Sequence, residues 1–170
     1  MMNNTVEIKR IEDKIKDTNI LVLGVGNYLM GDEGVGVQFI QYLENNNITF
    51  KNADILDGGT GGFTLMGTLD SYETIVFVDA TMDGKPPGTI SLIRPKFASD
   101  FPSAISAHDF GLKDMIESMY LLGKAPEMYL FTISINEIKP MHINLSQEVK
   151  NAIPFLVDEV QKLISEFTEI

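Results

Sequence analysis

Asp32 and Glu33 stand side by side in LGVGNYLMGDEGVG (23–36), where a glycine loop joins an apolar run to a helical pattern. A phosphate-binding loop would place Lys at that point. The spacing of Gly26 and Gly31 fits the nucleoside-triphosphate loop, but Asp32 and Glu33 replace its Lys and Ser/Thr. The dinucleotide fingerprint fails as well, because Leu29 occupies its third glycine position. Two carboxylates at a helix start also use up the dipole that a phosphate would want. Further acids close the next two apolar runs, Asp57 in ADILDGG (53–59) and Asp79 in TIVFVDA (74–80). If these runs are parallel strands, three acids share one rim of the sheet.

An isolated acid at a strand end is ordinarily a cap or a turn former. Three on one rim repel and raise one another's pKa unless a cation lies between them. Basic residues are scarce nearby: between Asp17 and Lys85 the chain has only Lys51, against nine acids. The rim therefore suits a divalent metal, or a cation that belongs to a ligand. Carboxylates alone favour magnesium or calcium, and an added imidazole shifts the preference to zinc, nickel or manganese. The chain has two histidines, His108 in SAISAHDFGL and His142 in IKPMHINL. A lone loop His is ordinarily a surface or capping residue. His108 is the better ligand candidate, because a polar Ser/Ala loop entering a helix can aim a side chain at a site. Other chemistries lack their residues. There is no cysteine, no G-x-S-x-G elbow and no H-E-x-x-H motif.

The elements that must position these residues follow from periodicity. NILVLGV (19–25), ADILDGG, TIVFVDA and EMYLFTISI (127–135) read as strands. TISLIR (89–94) reads as a fifth, returning as a hairpin after TIVFVDA. A helix is expected from Glu33 to about Asn45, with Val37, Ile40 and Leu43 inward and Asp32 as its N-cap. A short helix is expected from Gly62 to Leu69. Another runs from Asp109 to Leu122, with Leu112, Met115, Ile116, Met119 and Tyr120 inward. The last spans Ser146 to Phe167, with a kink or restart at Pro154. Residues 1–17 read as an amphipathic helix or loose arm carrying Ile8, Ile11 and Ile15. Alternating strands and helices predict an α/β three-layer sandwich, with a mostly parallel twisted sheet of about five strands and helices on both faces. Ligands of such sheets bind beyond the carboxyl ends of the strands.

The 170 residues suit one domain, assigned to 19–170 with an N-terminal extension at 1–18. A net charge of −11 argues against nucleic acid and anionic membrane surfaces as partners. No secretory signal or membrane-length apolar run is visible, so the cytoplasm is the expected compartment.

In order along the chain, ILVLGVGNYLMGDEGVG, ILDGGT, IVFVDA and SAHDFGL resemble the maturation endopeptidases of nickel–iron hydrogenases. The resemblance runs from about Asn19 to the C-terminal helix. It implies an endopeptidase that removes a C-terminal peptide from the hydrogenase large-subunit precursor once nickel is inserted. It also implies a monomer and a twisted sheet flanked by helices. Carried over by motif, the metal-contacting residues are Glu33, Asp79 and His108. Asp57 joins Glu33 and Asp79 as a catalytic candidate. The nickel is expected to arrive in the substrate, with zinc or cadmium able to occupy the site in vitro. A related protease with a different substrate and a non-enzymatic metal-sensing chaperone of the same fold are the alternatives.

Overall fold

The computed structural model describes residues 19–100 and 112–168. The expected arm at 1–17 and the loop carrying His108 lie outside these residues. Three apolar runs become the centre of a five-stranded sheet: β1 (Ile20–Val25), β3 (Thr74–Thr81) and β5 (Glu127–Ser134). They are buried almost throughout, as strands covered on both faces must be. β2 (Ala53–Gly59) and β4 (Ile90–Ile93) take the two edges in the order β2-β1-β3-β5-β4. The first four strands of that order are parallel, and β4 runs antiparallel to β5.

The expected hairpin does not form. β4 does not return on β3, because β5 lies between them, pairing Val76 with Tyr129 on one side and Leu92 with Phe131 on the other. The apolar β5 fills the twice-covered position, and the half-buried β4 is left with the edge.

Helices cover both faces. On one, α1 (Val35–Asn45) and α4 (Gln147–Thr168) pack Phe39, Ile40, Leu43, Ile153 and Leu156 over Val22, Val78 and Phe131. On the other, α2 (Met66–Leu69) and α3 (Leu112–Leu121) bring Leu69, Ile116 and Met119 to Leu23, Phe77 and Leu130. Tyr120 packs half-buried beside them. The side chains of Leu112 and Met115 are outside the described set. α4 continues through Pro154 without a restart.

At the β2 edge the Tyr72 hydroxyl donates to Asp54 Oδ2 at 2.8 Å. Burial, then this hydrogen bond and the Asp54 charge, push the Tyr72 phenol up to about 12. A folded-state pKa raised above the unfolded value contributes stability that is complete below the ordinary phenol range and lost as pH rises through about 12. Tyr72→Phe is therefore expected to cost about 1 kcal/mol at neutral pH, with the gap from wild type closing in strong alkali. Urea denaturation of both proteins across that range checks it, and a gap that widened with pH would refute the assignment.

Candidate functional site

The strand order reverses at β1. The chain leaves β1 for β2 on one side, then crosses to β3 on the other. Such a reversal opens a crevice at the carboxyl ends of the two strands, where open α/β sheets bind ligands. The segment after β1 and the end of β3 meet there.

The segment after β1 is closely packed against backbone. Gly26 has φ +145°, and a Cβ on it would lie 2.2 Å from the Glu33 carbonyl oxygen. Only glycine allows that approach. The next residues form an Asx turn in which Leu29 N–H donates to Asn27 Oδ1 at 3.0 Å. A 3-10 turn, Gly31–Gly34, then enters α1. The expected helix start at Glu33 thus divides into a tight turn and a helix that begins at Val35.

Asp32 is not the N-cap of α1, which starts from Gly34 with no side-chain cap among the described residues. Its Oδ1 accepts instead from the backbone N–H of Ser146 at 2.6 Å, next to the start of α4. A charge-assisted bond to a half-buried N–H outweighs a solvated cap. His142 enters through its backbone: its carbonyl accepts from Gly31 N–H at 2.7 Å, and its N–H donates to Leu29 O at 3.0 Å. Two loops far apart in sequence thus brace the turn that carries Glu33. Asp32→Ala is expected to cost about 2 kcal/mol and to speed hydrogen exchange at the Ser146 amide. Asp32→Asn, which keeps an acceptor, should cost less. Unchanged exchange at Ser146 in the Ala variant would remove the tether from the account.

Glu33 has no solvent exposure, and the turn that carries it packs against β3. Asp79, also fully buried, lies near the end of that strand opposite Thr132 of β5. Its Oδ1 accepts from Ala80 N–H at 2.8 Å. By strand alternation Asp79 shares the face of Ile75 and Phe77, the side covered by α3. His108 precedes α3 by a few residues in the sequence. Desolvating a carboxylate costs several kcal/mol, so two fully buried at a switch point are candidates for a functional centre.

Asp57 is placed differently. It is exposed, and its Oδ1 accepts from Gly59 N–H at 2.9 Å. It shares the opposite sheet face with Ala53 and Ile55 and opens into a hollow of about 390 Å³ with Gly26, Tyr28 and Gln41. The structure places Glu33 on a turn packed against β3 and Asp79 near the end of β3, and sets Asp57 on the α1 side of the same rim. Asp32, Ser146 and the 139–142 backbone were not legible as site supports. Their contacts are long-range, and no local motif announces them.

This is the architecture of a doubly wound α/β domain with its carboxylates at the switch point. The hydrogenase maturation protease family model matches residues 37–163. The hydrogenase 2 maturation protease of Escherichia coli K12 is 34% identical over 149 residues, 86% of this chain and 91% of the relative. The structure of the hydrogenase maturating endopeptidase HybD from E. coli superposes with a TM-score of 0.76 at 31% identity, covering 88% of this chain and 93% of that one. The [NiFe] hydrogenase maturation protease HybD from Thermococcus kodakarensis gives 0.69 at 28% identity, covering 86% and 99%. The chain belongs to the hydrogenase maturation protease family. It is accordingly a peptide-bond hydrolase, an endopeptidase of hydrogenase maturation.

Proposed function

We propose that this endopeptidase removes the C-terminal peptide from the nickel-loaded precursor of a nickel–iron hydrogenase large subunit, acting as a monomer in the cytoplasm. The observation that carries the reading is the pair of fully buried carboxylates, Glu33 and Asp79, at the switch crevice of a chain in this family. Nickel enters as part of the substrate, and Glu33, Asp79 and His108 contact it. The donor chemistry fits, since two carboxylates and an imidazole form a mixed shell that suits nickel and also accepts zinc or cadmium. Among the described residues no three His, Asp or Glu are grouped to hold a metal. The third donor of the set is His108, outside them, and the substrate supplies the rest.

The chain's residues divide the work. The braced turn fixes Glu33, and β3 fixes Asp79, so neither carboxylate reorganises when the metal arrives. Bound nickel would supply Lewis-acid polarisation at the scissile carbonyl. Asp57, on the solvent side of the rim, is the carboxylate available to take a proton from water.

The test is a processing assay with the purified precursor, with and without inserted nickel, read as mass lost from its C-terminus. Cleavage of the nickel-loaded form alone is expected. Cleavage of both forms would discard metal recognition, and cleavage of neither would discard the substrate.

A further inference from the structure

Beside the crevice, α1 and α4 diverge to leave a groove of about 950 Å³. That is at the upper end of the range for ligand sites. Each wall is one helix face at i, i+3/i+4 and i+7 spacing, with Gln38, Gln41 and Asn45 on α1 and Gln147, Lys150 and Asn151 on α4. The lining is rich in primary amides. Each amide offers two donors and an acceptor oxygen, so one bond does not exhaust it. Gln38 Nε2 donates to Ile143 O at 2.7 Å, and Gln147 Nε2 to Asn151 Oδ1 at 2.7 Å. Alternating donors and acceptors are what an extended backbone requires of a neighbour.

Three further observations narrow the occupant. Pro154 lies on the same wall of α4 and has no N–H, so it removes the intrahelical donor that the Lys150 carbonyl would take. Among the described residues Lys150 is the one charged side chain in the lining, in a chain of net charge −11. The groove therefore favours a segment bearing negative charge, and a chain-terminal carboxylate is the simplest. Finally, Gln41 lines both this groove and the hollow that holds Asp57. The two thus adjoin at Gln41 on α1.

We propose that the α1–α4 groove receives the C-terminal extension of the protein substrate as an extended strand, with the amides holding its backbone and Lys150 its terminal carboxylate. This rests on the processing function proposed above. The groove would orient the segment to be removed, leaving the crevice to recognise the metal.

The test uses the full chain and a synthetic peptide with the sequence of the precursor's C-terminal extension, prepared with a free and with an amidated C-terminus. In a ¹⁵N-resolved titration, the side-chain amide resonances of Gln41, Asn45 and Asn151 are expected to shift with the free-acid peptide and to shift less with the amidated one. In the processing assay, Lys150→Glu is expected to raise KM for the precursor about tenfold at unchanged kcat, and Lys150→Arg to restore it. Unmoved amide resonances, together with a wild-type KM for Lys150→Glu, would overturn the groove while leaving the protease reading intact. A wild-type protein that cleaves no form of the precursor would overturn the protease reading, and the peptide titration would still report on the groove.

Discussion

Glu33→Gln is expected to lower processing of the nickel-loaded precursor by about 10³-fold or more while the protein stays folded. The substitution keeps the volume of a side chain with no solvent exposure and replaces one carboxyl oxygen by an amide NH2. A neutral amide oxygen is a poor ligand for a divalent ion, and the rim would lose one of its two fully buried carboxyl groups. The stability outcome runs the other way. Relieving the desolvation of a buried carboxylate offsets the weaker hydrogen bonding of the amide, so the thermal midpoint should hold or rise. Activity down with stability kept is the signature of a group retained for chemistry. His108→Ala is expected to give the companion result, loss of processing without loss of fold. Normal processing by Glu33→Gln would remove Glu33 from the metal set, and a collapsed midpoint would make its role structural.

Gly36→Ala should be strongly destabilising for a single added methyl, at about 3 kcal/mol or more. The added Cβ would lie 2.3 Å from the carbonyl oxygens of both Val25 and Val78. These are backbone atoms of β1 and β3, whose pairing aligns Gly24 with Val78. Neither can retreat without opening the ladder at the crevice. On the other side, a Cβ at Gly24 would lie 2.1 Å from the Gly36 carbonyl, so helix and strand meet backbone to backbone. For a chain of this size the loss corresponds to a drop in Tm of about 10 °C. Gly67→Ala is the control. It sits in α2 with no described atom beyond its own surroundings within 4 Å of an added Cβ, so the better helix former should hold or gain about 0.5 kcal/mol. A Gly36→Ala protein as stable as wild type would mean that the helix can lift off the strands.

The parts of this fold legible in the sequence are those set by local pattern. The apolar runs of β1, β3 and β5 match the observed strands within a residue or two, as do Val37, Ile40 and Leu43 as the inner face of α1. Position in the sheet was less legible. TISLIR lies close to TIVFVDA in the chain, and a hairpin is the local expectation, yet burial awarded the place beside β3 to a strand more than thirty residues further on. Asp32 reads locally as a cap because Asp is a good capping residue. What it bonds is decided by a backbone N–H that tertiary packing brings to it. The rim acids were legible as a set, but the division among them was not. Strand alternation puts Asp79 and Asp57 on opposite faces of the sheet, and that depends on the parallel register of β1 with both neighbours.

The Asp32–Ser146 bond spans 114 positions. A contact of that range closes late, after the loop entropy between its ends has been lost. During synthesis β1 and the turn with Glu33 emerge well before Ser146, which lies at the entry to α4. A nascent or C-terminally truncated chain can carry every residue of the crevice and still lack the brace that fixes it.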